Sequence, residues 1–194
     1  MISRLSMIPI LAIGILIQSN SCSVLDRGGD APGGVEYRQI RNRNGSNDAQ
    51  RSAAFNSYPV EVQIEIYLFA MINRAPADPV FREYLAVNGA NKVPKLVEAI
   101  ETKTSPIARD TLIGAIWLID RNCDCVAQDS SILNRLKRAE LEPEPTDDQG
   151  DLLAKKNYSW ALFELERKSP DKSRNPGNYN KPNPYSNTNV NQIH

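Results

Sequence analysis

Apolar residues recur at intervals of three and four along most of residues 58–168, the spacing that gathers side chains on one face of an α-helix. The pattern is densest over 91–120. There, Val93, Leu96, Val97 and Ile100 form one stripe, with Lys92, Lys95, Glu98 and Glu101 on the remaining surface. Ala108, Leu112, Ala115 and Ile119, widened by Ile116, form a second. Ser105 has a side-chain oxygen able to cap the free N–H groups of the second helix, and Pro106 suits a first helical position. Because the polar link 101–105 is short, the two helices are predicted to form an antiparallel hairpin.

Similar stripes flank this hairpin. Val60–Ile66 alternates apolar and polar residues as a strand would, but the continuation to Ile72 breaks the alternation. Val60, Ile64, Tyr67, Leu68 and Met71 share a helical face, which predicts a helix. Ala75-Pro76-Ala77 ends it, Asp78-Pro79 starts a short helix Val80–Val87, and Asn88-Gly89 closes that one in a left-handed turn. Downstream, Asp129 caps a helix carrying Ile132, Leu133, Leu136 and Ala139. Thr146–Gln149 reads as a capping box ahead of Asp151–Lys168, whose stripe is Ala154, Tyr158, Ala161, Leu162 and Leu165. Trp117 and Trp160 are expected as core or hairpin-contact residues rather than a ligand platform. The predicted fold class is all-α, with antiparallel helical hairpins stacked as a short solenoid or an irregular bundle. About 110 residues, 58–168, suffice for one such core.

The central hairpin also carries a specific residue pattern. Val93-Pro94 with Leu96 opens its first helix, and Pro106, Arg109 and Asp110 precede Ala115 in its second. In these residues it resembles a HEAT-type repeat, over the one hairpin 91–120. The resemblance implies a helical-repeat architecture in which Pro94, Pro106, Arg109 and Asp110 have structural roles, the last two as polar contacts between repeats.

Outside 58–168 the composition changes. Residues 1–21 read as an export signal, with Arg4 as the positive region and Leu5–Ile17 as an apolar core too short to span a bilayer. Ser19 and Ser21 suit ordinary cleavage, whereas Cys22 just after them resembles a bacterial lipoprotein signal, in which the cysteine is acylated. Leu is usual three residues before that cysteine; here Ser19 occupies the place. By the same resemblance, Ser23 implies the outer membrane, facing the periplasm. Residues 22–57 have few large apolar residues, the Gly28-Gly29 and Gly33-Gly34 pairs, and Arg38, Arg41, Arg43 and Arg51, so they are expected to be a flexible tether. Their alternative is electrostatic contact with anionic envelope components. The Asn/Pro-rich stretch 169–194 is expected to be disordered.

Candidate chemistry is sparse. The one histidine, His194, removes Ser-His-Asp and Cys-His machinery, and no glycine loop sits between a strand and a helix to cradle phosphate. Cys123 and Cys125 could form a disulfide, remain inert thiols, or share a soft metal, although zinc needs about four ligands. Acylation of Cys22 leaves them as an even pair. Glu140, Glu142, Glu144, Asp147, Asp148 and Asp151 lack the spacing of a calcium loop and are expected to be a solvated stretch; Glu142 or Asp147 would be the carboxylates of an alternative hydrolase. Loss of residues 1–21 leaves 22 basic against 23 acidic side chains, which disfavours general nucleic-acid binding. No cofactor is expected. The function expected is that of a non-catalytic, lipid-anchored envelope protein whose helical surface binds another envelope protein, with a periplasmic immunity-type inhibitor of a secreted toxin as the alternative.

Overall fold

The computed structural model describes residues 31–42, 47–74, 76–142, 144 and 147–170, and among these the chain is all-helical. Eight α-helices follow one another: α1 Gly34–Arg41, α2 Asp48–Asn56, α3 Val60–Ile72, α4 Val80–Ala86, α5 Val93–Thr102, α6 Pro106–Cys123, α7 Ser130–Arg138 and α8 Gln149–Lys168. A 3-10 turn, Gly89–Lys92, leads into α5. Consecutive helices pair as four hairpins. Across hairpins, α1 packs on α3, α3 on α5 and α5 on α7, while α2 packs on α4, α4 on α6 and α6 on α8. The result is two helical layers, odd and even, with the core between them.

The expected tether does not extend to residue 57. Tyr37, Ile40 and Phe55 are buried, so α1 and α2 form the first hairpin instead. Tyr37 and Phe55 both pack against Phe81, with ring centroids 5.0 Å and 5.7 Å apart. Gly33 fixes the approach: its φ is +78°, and a Cβ there would lie 2.3 Å from the backbone carbon of Glu65. Only glycine allows α1 to lie that close to α3. The export signal, Cys22, Arg43, residues 171–194 and His194 lie outside the described residues. No helix among the described residues is long and apolar enough to cross a membrane.

Helix ends follow local chemistry. Ser105 accepts from Ala108 N–H and Asp129 from the N–H groups of Ser131 and Ile132. Asn88 takes the left-handed conformation, φ 51°, that ends the α4 hairpin arm. The start of α8 differs from expectation: Asp148, accepting from Asp151 N–H at 2.8 Å, is the cap, so the helix begins at Gln149 and not from a Thr146 box. As the cap, Asp148 adds negative charge at the positive helix end.

Buried polar groups tie the hairpins together. Lys92 Nζ donates to Asn56 Oδ1 at 2.6 Å and to the Leu85 carbonyl at 3.0 Å, joining the first three hairpins, and burial pushes its pKa down to about 8. On the odd layer, Glu61 and Lys95, Glu65 and Lys103, and Glu101 and Arg135 form ion pairs at 3.1, 2.9 and 2.6 Å.

Replacing Gly33 by alanine should destabilise the protein by about 2–4 kcal/mol, from left-handed strain plus overpacking against the α3 backbone. Urea unfolding of Gly33→Ala measures this, and a loss below the scatter of surface substitutions would separate α1 from the folded body.

Candidate functional site

A cavity of about 450 Å³ opens on the even layer, lined from α3 by Met71, from α4 by Arg82, from α6 by Asp110, Thr111, Gly114 and Trp117, and from α8 by Asn157, Trp160 and Ala161. It follows the seam where α6 and α8 pack, and helical spacing dictates its lining. On α6, Asp110, Thr111, Gly114 and Trp117 lie three and four residues apart; on α8, Asn157, Trp160 and Ala161 do the same.

Its walls are aromatic. Trp117 and Trp160, both half-buried, have ring centroids 5.8 Å apart at an interplanar angle of 52°, and the Arg121 guanidinium lies 5.0 Å from the Trp117 centroid. The tryptophans are therefore hairpin-contact residues, as expected, and at the same time the wall of the cavity.

Its polar groups converge from three hairpins. Tyr67 Oη donates to the Thr111 carbonyl at 3.0 Å and accepts from Arg82 Nε at 3.2 Å, which places α3, α4 and α6 around one buried oxygen. Burial pushes the Tyr67 hydroxyl above its ordinary pKa. Asp110 accepts from Asn157 Nδ2 at 3.3 Å, and burial pushes its pKa up to about 6 against the opposing pull of that hydrogen bond and of Arg82. Asn157 is 9% exposed, and its Oδ1 has no hydrogen-bond partner among the described residues. Such an orphan buried acceptor costs on the order of 1–3 kcal/mol.

Gly114 completes the cavity. It lies in the middle of the 18-residue α6, where glycine costs about 1 kcal/mol relative to alanine. Close packing does not account for it, because a Cβ there would meet nothing within 4 Å. What the missing side chain leaves is room.

The other residues singled out from sequence have structural settings. Pro94 and Pro106 occupy the first turns of α5 and α6. Arg109 donates from Nε to the Lys103 carbonyl at 2.6 Å and from Nη1 to the Ala139 carbonyl at 2.5 Å, linking the third hairpin to the end of α7. Asp110 makes a polar contact between hairpins, accepting from Asn157 of α8, and also lines the cavity. Cys123 and Cys125 are joined as a disulfide at the end of α6. In the acidic stretch Glu142, Glu144 and Asp148 are exposed, as expected of a solvated stretch, while Asp147 is drawn in: Lys155 Nζ, itself buried, donates to it at 2.7 Å and to the Glu142 carbonyl at 2.9 Å. The Glu144 N–H and Lys155 hold the Asp147 carboxyl below its ordinary range, and Asp148 is occupied in capping α8. Among the described residues no three His, Cys, Asp or Glu side chains converge as metal ligands.

The chain matches no protein-family model, no curated protein and no solved structure.

Arg82, Thr111, Gly114 and Asn157 are the site residues that the sequence pattern does not single out. A lone glycine inside a well-formed helical stripe was the available signal for Gly114. Arg82 and Asn157 carried none, since a polar residue beside a stripe usually faces water.

Because the folded pKa of Asp110 lies above the unfolded value of about 3.9, its ionisation opposes folding; that penalty is absent below pH ~4, grows through pH 4–6 and is complete above. Asp110→Asn should therefore raise the unfolding free energy by about 1 kcal/mol at pH 7, with the gain vanishing near pH 4. Denaturant titrations at the two pH values test it, and a pH-independent effect would contradict it.

Proposed function

We propose that this chain is a non-catalytic binding protein of the bacterial cell envelope, anchored by acyl chains on Cys22 at the outer membrane and facing the periplasm, and that its even layer is the face presented to another envelope protein. The observation that carries the proposal is the half-buried Trp117–Trp160 pair on the α6–α8 seam, set among Met71, Arg82 and Arg121. Tryptophan, methionine and arginine are the residue types enriched at the centres of protein interfaces, where a few anchors supply most of the affinity. Exposed Ile107 and Leu153 extend the same two helices' apolar surface.

Among the described residues the cavity lining contributes one carboxylate, Asp110, and no second. Paired acid–base hydrolysis needs two. The opposite layer is a poorer docking face, because its charges are already matched in ion pairs.

Two measurements test the proposal. Labelled fatty acid should enter the wild-type chain and not Cys22→Ala; equal labelling would remove the anchor. Capture from native envelopes with the full mature chain should retrieve one stoichiometric protein, and the Trp117→Ala/Trp160→Ala double variant should weaken retrieval by at least about tenfold. Equal retrieval by both chains would place the binding face elsewhere.

A further inference from the structure

We propose that the cavity between α4, α6 and α8 is a saccharide-binding site for one or two pyranose rings. The proposal rests on the even layer being a recognition face and narrows what that face meets, namely an envelope component bearing a glycan.

Hydrogen-bonding capacity decides the ligand class. The acceptor left over at the cavity is on Asp110, whose hydrogen bond from Asn157 is long at 3.3 Å; the Asn157 Oδ1 is unpartnered but shielded from solvent. The donors left over are on Arg82, which uses Nε on Tyr67. Among the described residues no ion pair joins Arg82 to Asp110, so donors and acceptors both face the cavity. A cationic ligand would satisfy Asp110 and be repelled by Arg82, and an anionic one would meet the reverse. Hydroxyl groups donate and accept at once, and vicinal hydroxyls span the two heads of a planar carboxylate, amide or guanidinium.

The walls fit the same class. A pyranose has one face of C–H groups, which stacks on an aromatic ring while its equatorial hydroxyls point sideways to polar partners. The tilted Trp117 and Trp160 rings supply such a wall above Asp110, Arg82 and Asn157. Met71 and Ala161 continue the apolar lining, and Gly114 leaves the floor open. At about 450 Å³ the cavity is within the range of small-molecule sites, roughly 300–1,000 Å³. A free amino acid, the other ligand with matched charges, would leave much of this aromatic wall uncovered.

The second cavity of the body, lined by Glu61, Glu65, Lys95, Glu98 and Lys103, offers no such site, because these side chains pair with one another.

The test uses the full mature chain with Cys22→Ser, which keeps it free of acyl groups. Tryptophan emission is followed during titration with maltose, cellobiose and N,N′-diacetylchitobiose, and a glycan array extends the panel. At least one saccharide should give a saturable change with Kd at or below about 1 mM. Trp160→Ala and Gly114→Leu should each weaken that binding by at least about tenfold. Gly114→Leu fills the floor while removing a helix-interior glycine, so an unchanged or raised melting temperature shows that its loss of binding is not unfolding. The proposal is overturned if no saccharide binds, if Gly114→Leu binds as well as wild type, or if free glycine or L-alanine saturates the site in place of sugars. Failure here with protein capture intact removes the saccharide site alone; saccharide binding with no protein captured removes the protein partner and keeps the site.

Discussion

The α6–α8 seam depends on one buried carboxylate. Asp120, fully buried near the end of α6, accepts from the N–H groups of Val126 and Ala127 at 3.0 and 2.9 Å and from Lys168 Nζ at 2.9 Å. With those three donors it organises the turn that leaves α6, the approach to α7 and the far end of α8. An ionised group buried this deeply is tolerated only because each oxygen has a partner, and loss of a partner would leave an uncompensated charge. Lys168 reaches it from a half-exposed position and also contacts Asp124, so the closing ion pair lies at the edge of the core. The clamp fixes the end of the apolar seam along which α6 packs on α8, and the Tyr158 hydroxyl, donating to the Leu136 carbonyl at 2.8 Å, ties α8 to α7.

The two layers are finished in different ways. Along the odd layer, ion pairs cross from α3 to α5 and from α5 to α7; each is solvated and adds little singly, but together they leave few unmatched charges. The even layer carries a desolvated carboxylate, an orphan amide oxygen and a helix-interior glycine within one cavity. Each of the three lowers stability, and each would be easy to replace by a more stable residue. Their coincidence at one place supports the binding role proposed for this layer.

The helical class and the later hairpins were legible in the sequence because α5, α6 and α8 are long and their apolar stripes repeat over several turns. Val60–Ile66 could be settled as helix only by its continuation to Ile72, since seven residues fit both periods. The first hairpin was not legible. Helices of eight and nine residues gain little from local propensity, and the burial that stabilises α1 and α2 comes from Tyr37, Ile40 and Phe55 meeting residues of α3 and α4. Gly33 reads as linker composition until its contact with Glu65 is known. The cavity was illegible for a related reason: Asp110 and Asn157 are 47 residues apart, and only the packing of α6 on α8 brings them together.

The placement of α1 also sets a distance. With the packed body beginning at Ala31, an acylated Cys22 would be separated from it by nine residues, a contour of at most about 30 Å, against roughly 120 Å for a tether reaching Ser57. The first hairpin would then lie within that distance of the bilayer. The α6–α8 seam would sample only a shallow shell of the periplasm. Any partner would have to reside in that shell or be carried into it, so the glycine contact at α1 would limit the range over which the opposite end of the molecule can search.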